Sequence, residues 1–162
     1  MLTQTAPSPD ELSSSPSLAV DGPIRLAEVN PAAIGAVWPK VERHLLSVID
    51  RLDGRYTVAA MRAALEAGET VLWLAGQTTA DGRAVVHAVM GTDIAKTPAG
   101  TLTARVLWMT GVDRGKWVHL LGDYEAAMRK RGCNRVEITA RKGWAKELAD
   151  YKLTHVQLEK DL

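Results

Sequence analysis

The chain contains no phenylalanine and only one cysteine, Cys133, in 162 residues. A single thiol excludes an internal disulfide framework and a multi-cysteine zinc site. Net charge is +1, from 20 basic and 19 acidic residues, so the strong positive field of a nucleic-acid binder is missing. No apolar run approaches the roughly 18 residues of a membrane span. The first residues lack the basic-then-apolar order of a secretory signal. These absences make a cytoplasmic protein the expectation, with no membrane insertion and no specific nucleic acid. No His pair at i,i+4 and no Cys–His cluster offers a metal site. There is also no G-x-S-x-G elbow and no Walker loop.

Proline is uncommon and unevenly placed. Four of the seven prolines lie in residues 1–23, "MLTQTAPSPDELSSSPSLAVDGP", together with five serines and no Lys or Arg. Asp10, Glu11 and Asp21 give this stretch a charge of −3, which leaves +4 for the rest. Such a segment cannot bury enough surface to fold alone. It reads as an extended arm, and its natural use is to lie across a protein partner.

The remaining residues, 24–162, have the pattern of one folded domain. The whole chain is 46% hydrophobic and 24% charged, ordinary for a globular protein with a proper core. "IRLAEV" (24–29) alternates as a short strand. Asn30 and Pro31 then open a helix as cap and first-turn residue. Ile34, Trp38, Val41, Leu45, Ile49 and Leu52 recur three or four apart, predicting one long helix with Pro39 inside it. Thr57 caps a second helix, which Gly68 stops. "TVLWLAGQ" (70–77), "AVVHAVMGTDI" (84–94) and "TLTARVLWM" (101–109) predict a three-strand meander, with Asp81-Gly82 as a hairpin turn.

"GVDRGKWVHLL" (111–121) follows as a strand end, a turn and the start of a helix. Trp117, Leu120 or Leu121, Tyr124 and Met128 mark that helix's buried face, and Gly132 its end. "NRVEITARKG" alternates as a strand, with Val136, Ile138 and Ala140 on one side. "WAKELADY" predicts a short helix and "THVQLEKDL" a final strand. The expected class is α/β with a mixed sheet, in the order β-α-α-β-β-β-α-β-α-β behind the arm.

That order resembles the GNAT family of acyl-CoA-dependent N-acetyltransferases over residues 24–162. The stretch "RGKWVHLL" can be laid on the family's "RGxGIGxxLL", whose backbone amides hold the diphosphate of coenzyme A. Free amides at a helix start attract phosphate, and small residues let the backbone come close. Arg114 and Gly115 match; Trp117 stands at the second glycine and His119 at the third. The resemblance therefore implies Arg114, Gly115, Lys116 and Trp117 as a degenerate cofactor loop. "DYKLTHVQL" is similar to the family's "lYeklGF" and implies Tyr151 as general acid toward the departing thiolate. A general base is expected on the strand before the loop or on its neighbour. Only His87 and Asp93 stand there, and strand 101–109 carries no carboxylate. Asp113 lies just ahead of the loop, where it would repel phosphate.

Two functions follow as expectations. The first is a non-catalytic structural or adaptor protein without cofactor, its loop filled by Trp117. The C-terminal half, "ARKGWAKELADYKLTHVQLEKDL", also resembles small GNAT-like proteins of phage structural gene clusters. That resemblance implies a component of a phage particle at its tail or head–tail region, made in the host cytoplasm. The alternative is an acetyl-CoA-dependent N-acetyltransferase with an atypical loop. Cys133, at a strand start, is expected to be structural. The basic cluster 129–132 with Arg135, Arg141 and Lys142 is balanced by Glu125, Glu137 and Glu147, so it reads as a solvated face.

Overall fold

The computed structural model describes residues 21–52, 54–140, 142–154 and 160. Five strands form one sheet in sequence order. They are β1 (Arg25–Val29), β2 (Val71–Thr78), β3 (Ala84–Lys96), β4 (Leu102–Gly111) and β5 (Arg135–Ile138). Strands β1 to β4 pair antiparallel. β5 returns parallel to β4, as the crossover through α3 (Leu121–Lys130) requires. α1 (Ile34–Leu46) and α2 (Val58–Glu66) lie between β1 and β2 in the chain. The mixed α/β class expected from the pattern is the one observed. The expected last strand falls largely on residues outside those described.

The local signals act through identifiable bonds. The Asn30 side chain accepts from Ala32 N at 2.9 Å, and Thr57 Oγ1 accepts from Ala60 N at 3.1 Å. Gly132 takes φ +85° just beyond α3, a left-handed exit that side chains disfavour. Two residues ahead of β1 are anchored too: Gly22 N donates to Thr78 O, and Asp21 accepts from Ala80 N, both at 2.8 Å.

Three boundaries differ from the periodic reading. The single long helix is broken, with a 3-10 turn at Pro31–Ala33 before α1 and another at Ile49–Leu52 after it. Ser47 Oγ donates back to His44 O at 2.6 Å, and the following Val48 and Ile49 are β-branched, so the helix ends there. The helix after β4 begins later than expected. Two 3-10 turns, Arg114–Lys116 and Val118–Leu120, precede it, and no side chain caps either turn or α3. The "WAKELADY" helix is reduced to a 3-10 turn at Lys142–Lys146. In β5 the pairing stops at Ile138, and Ala140 is exposed rather than facing in.

The sheet carries a core on each face. Ile34, Trp38, Val41 and Leu45 of α1 pack with Met61, Leu65, Leu72, Val89 and Trp108. On the other face Tyr124 and Met128 of α3 meet Trp73, Met90, Ala104 and Val106. Gly91 makes room for the Trp108 ring, which a Cβ at that position would penetrate. Among the described residues no helix is long and apolar enough to cross a membrane.

Candidate functional site

Among the described residues the sheet opens beyond Val106 of β4. β4 and β5 pair only from Thr103–Arg135 to Val106–Ile138. β4 continues to Gly111, so beyond Val106 its β5-facing edge has no strand partner among the described residues. The opening coincides with a bulge: Gly91 pairs with Trp108 and Thr92 with Val106, leaving Leu107 as the extra residue. An extra residue bends its strand and interrupts the ladder. A second bulge in β3 leaves His87 unmatched between the Ala75–Ala88 and Gly76–Val86 pairs. β4 and β3 are pressed close at the far end. A Cβ on Gly111 would come within 2.6 Å of His87 O, and Val112 N donates to that same oxygen at 2.9 Å.

The loop that leaves β4 turns at Asp113, whose φ of +50° is left-handed. Arg114, Gly115 and Lys116 form an exposed 3-10 turn. Its first internal bond runs from Lys116 N to Asp113 O at 2.8 Å, so the Arg114 and Gly115 amides precede it. A Cβ on Gly115 would meet no atom within 4 Å. Trp117 goes the other way. It is 4% exposed and packs with Ala75, Ala88 and Leu120 under the loop. Its indole Nε1 donates to Val112 O at 2.9 Å. A small apolar cavity of about 10 Å³, lined by Leu26, Trp73, Met90, Met109, Trp117 and Leu121, lies beneath.

The loop's charges are engaged. Arg114 donates to Glu147 at 2.7 Å and sits over the Trp144 ring at 5.1 Å. Trp144 in turn lies 6.2 Å from Trp117, ring centre to ring centre. Lys116 pairs with Asp113 at 2.9 Å, and that bond holds the exposed Asp113 carboxyl below its ordinary range. Glu147 and Trp144 were not foreseen. Their spacing puts both on one side of a turn, but nothing in the 33-residue separation between Arg114 and Glu147 aims them at that arginine.

The remaining candidates are scattered. Asp93 is spent on Arg105, which donates to it from Nε at 2.7 Å and also from Nη2. His87 is 8% exposed, and its Nε2 has no hydrogen-bond partner. Tyr151 lies away from the loop turn: its hydroxyl donates to Glu125 of α3 at 2.7 Å. Burial first, and that carboxylate second, raise its pKa and keep it protonated. Cys133 is half-buried beside the α3 core. Among the described residues no three His, Cys, Asp or Glu side chains are grouped to hold a metal ion.

Tyr124 gives a test of the α3 core. It is fully buried, edge-on to Trp73 at 5.3 Å, with no completed hydrogen bond from its hydroxyl. The nearby Thr92 hydroxyl, which accepts from the Trp73 indole at 3.1 Å, offsets part of the pKa rise. Burial pushes the phenol up to about 12 from its ordinary 10. A raised folded pKa favours the neutral phenol, so its contribution is whole below pH 10 and lost as pH rises toward 12. Denaturant titrations of wild type and Tyr124→Phe will therefore diverge above pH 10, with wild type losing stability faster. Near pH 7 the two will agree within about 1 kcal/mol, since the substitution removes an unsatisfied hydroxyl. Parallel curves from pH 9 to 12 would contradict the burial.

No protein-family model matches the chain, and no curated protein does. Solved structures do. An aminoglycoside acetyltransferase, meta-AAC0020 from an uncultured soil metagenomic sample, matches with a TM-score of 0.61. Identity is 9%, over 86% of this chain and 96% of that one. Glucosamine-6-phosphate N-acetyltransferase from Arabidopsis thaliana matches at TM-score 0.56 and 12% identity, over 85% and 97%. Ribosomal-protein-alanine N-acetyltransferase from Brucella melitensis biovar Abortus 2308 matches at 0.54 and 13%, over 86% and 96%. The chain has the GNAT fold. At these identities the likeness concerns the fold alone.

Proposed function

We propose that the chain is an N-acyltransferase that takes its acyl group from acetyl-CoA through an atypical loop. Gly115 is the observation that supports this reading best. Neither packing nor backbone conformation requires a glycine there: a Cβ would meet open space, and the residue has no left-handed φ. Bare backbone at such a point suits the close approach of a ligand. Arg114 and Lys116 flank it with exposed cations, and the Trp117 ring is buried below the turn. The residues present therefore fit a diphosphate.

Acetyl-CoA supplies an activated thioester when bound. The chain's own part is to hold the phosphates at Arg114, Lys116 and the first amides of the turn. The β4 edge from Leu107 to Gly111, which has no strand partner among the described residues, offers N–H and C=O groups to the donor's amides, as a sheet edge does to an added strand. Turnover tests the proposal. With acetyl-CoA and a panel of a polyamine, an amino sugar and a lysine peptide, free thiol will appear faster than in the amine-free blank for at least one acceptor. No amine-dependent release from any class would count against catalysis.

A second reading has its own support. Both loop cations already have carboxylate partners within the chain. A non-catalytic adaptor, meeting protein partners through residues 1–23 and, on the C-terminal resemblance, belonging to a phage particle, would need no cofactor. Failure to bind acetyl-CoA favours this reading.

A further inference from the structure

The segment after β5 is fastened to the candidate loop at its weakest-held end. Trp144 touches both Arg114 and Trp117, and Glu147 takes the Arg114 guanidinium. Further along, Leu148 packs against the α3 core and Tyr151 is tied to Glu125. At the loop end Trp144 packs against the Trp117 cluster, so the ion pair is the weak part of the attachment. The Arg114–Glu147 pair is solvent-exposed, with side chains 45% and 38% accessible, and exposed pairs of this kind contribute little. The Leu148–Tyr151 end is partly buried. Gly143, before Trp144, has open space around its Cα.

Arg114 is one of the two exposed cations that flank Gly115. Glu147 accepts from Arg114 Nη2 alone, so a phosphate that takes this guanidinium by two donors has to share or displace that bond. We propose that Glu147 and Trp144 form a clasp that competes with the ligand's diphosphate for Arg114. Ligand binding exchanges the Glu147 carboxylate for a phosphate, while Trp144, Leu148 and Tyr151 hold their place. The clasp thus sets the affinity of the site, and it occupies the loop cation when ligand is absent. This inference rests on the acyl-CoA reading of the loop.

The test is a double-mutant cycle on the full chain. Wild type, Glu147→Gln, Arg114→Gln and the double variant are titrated with acetyl-CoA by calorimetry at low salt. Removing the competitor will tighten binding roughly two- to fivefold, the size of an exposed ion pair. That gain will vanish in the Arg114→Gln background, because Glu147 acts only through Arg114. Equal affinity of wild type and Glu147→Gln overturns the clasp. So does a gain that persists without Arg114, which would reflect only the removal of a nearby negative charge. If none of the four binds acetyl-CoA, the acyl-CoA reading itself fails and takes the clasp with it; binding by all four without the coupling defeats the clasp alone.

Discussion

Replacing Trp117 by alanine will cost about 3–5 kcal/mol of stability, the usual range for deleting a buried tryptophan. For a chain of this length that is a fall in melting temperature of roughly 10 °C, at 2–4 °C per kcal/mol. The indole is nearly enclosed, packed against Ala75, Ala88 and Leu120. Truncation also strands Val112 O, which accepts from the ring nitrogen, and removes the partner of Trp144. The neighbouring cavity is already present, so the new void adds to a site that has little to collapse into it. The same experiment separates two roles for this residue. A tryptophan lying over the loop as a plug would be lost at almost no cost in stability. A decrease below about 1 kcal/mol, typical of a surface change, would mean that the ring belongs outside the core.

Gly115→Trp is the opposite case. The new side chain projects into open space, so stability should change by no more than about 0.5 kcal/mol. Affinity for acetyl-CoA, by contrast, should fall by about 100-fold or more, near 2.7 kcal/mol, because the indole occupies the approach to the turn's amides. Calorimetric titration reads the loss, and a melt without ligand confirms that the fold is intact. Undiminished binding would move the diphosphate elsewhere. The two tryptophan experiments are complementary: one removes an indole from beneath the loop, the other places one above it.

The elements that were legible in the sequence are those in which one force dominates. Ile34, Trp38, Val41 and Leu45 announced α1 because its buried face is a single uninterrupted stripe. Asn30, Thr57 and Gly132 marked element ends because each meets a local backbone need that no tertiary contact overrides. The loop after β4 was less legible. Its residue types suggested a helix start at the turn, but Trp117 is drawn into the core with φ −134°, and the chain needs two short turns before α3 can begin. Periodicity carries no trace of that pull, which depends on where Ala75 and Ala88 lie across the sheet.

The candidate site was legible only where it is contiguous. Arg114, Gly115 and Lys116 could be named because they are adjacent in a turn. The bulges at His87 and Leu107 could not, since a register shift belongs to a pair of strands and not to either alone. The engagement of Asp93 by Arg105 follows from cross-strand register for the same reason. Tyr151 was named from a local string, and the structure places its hydroxyl on Glu125. Glu147 and Trp144 reach Arg114 only because the segment after β5 comes back against the loop before α3, a matter of tertiary path.

The most direct measurement is the melting temperature of the purified chain with and without acetyl-CoA. A ligand at 100 times its dissociation constant stabilises the folded state by about 2.7 kcal/mol, or roughly 5–10 °C here. The open turn at Gly115 predicts a rise of that order, saturating with ligand. A melting temperature that does not move at millimolar acetyl-CoA would contradict it.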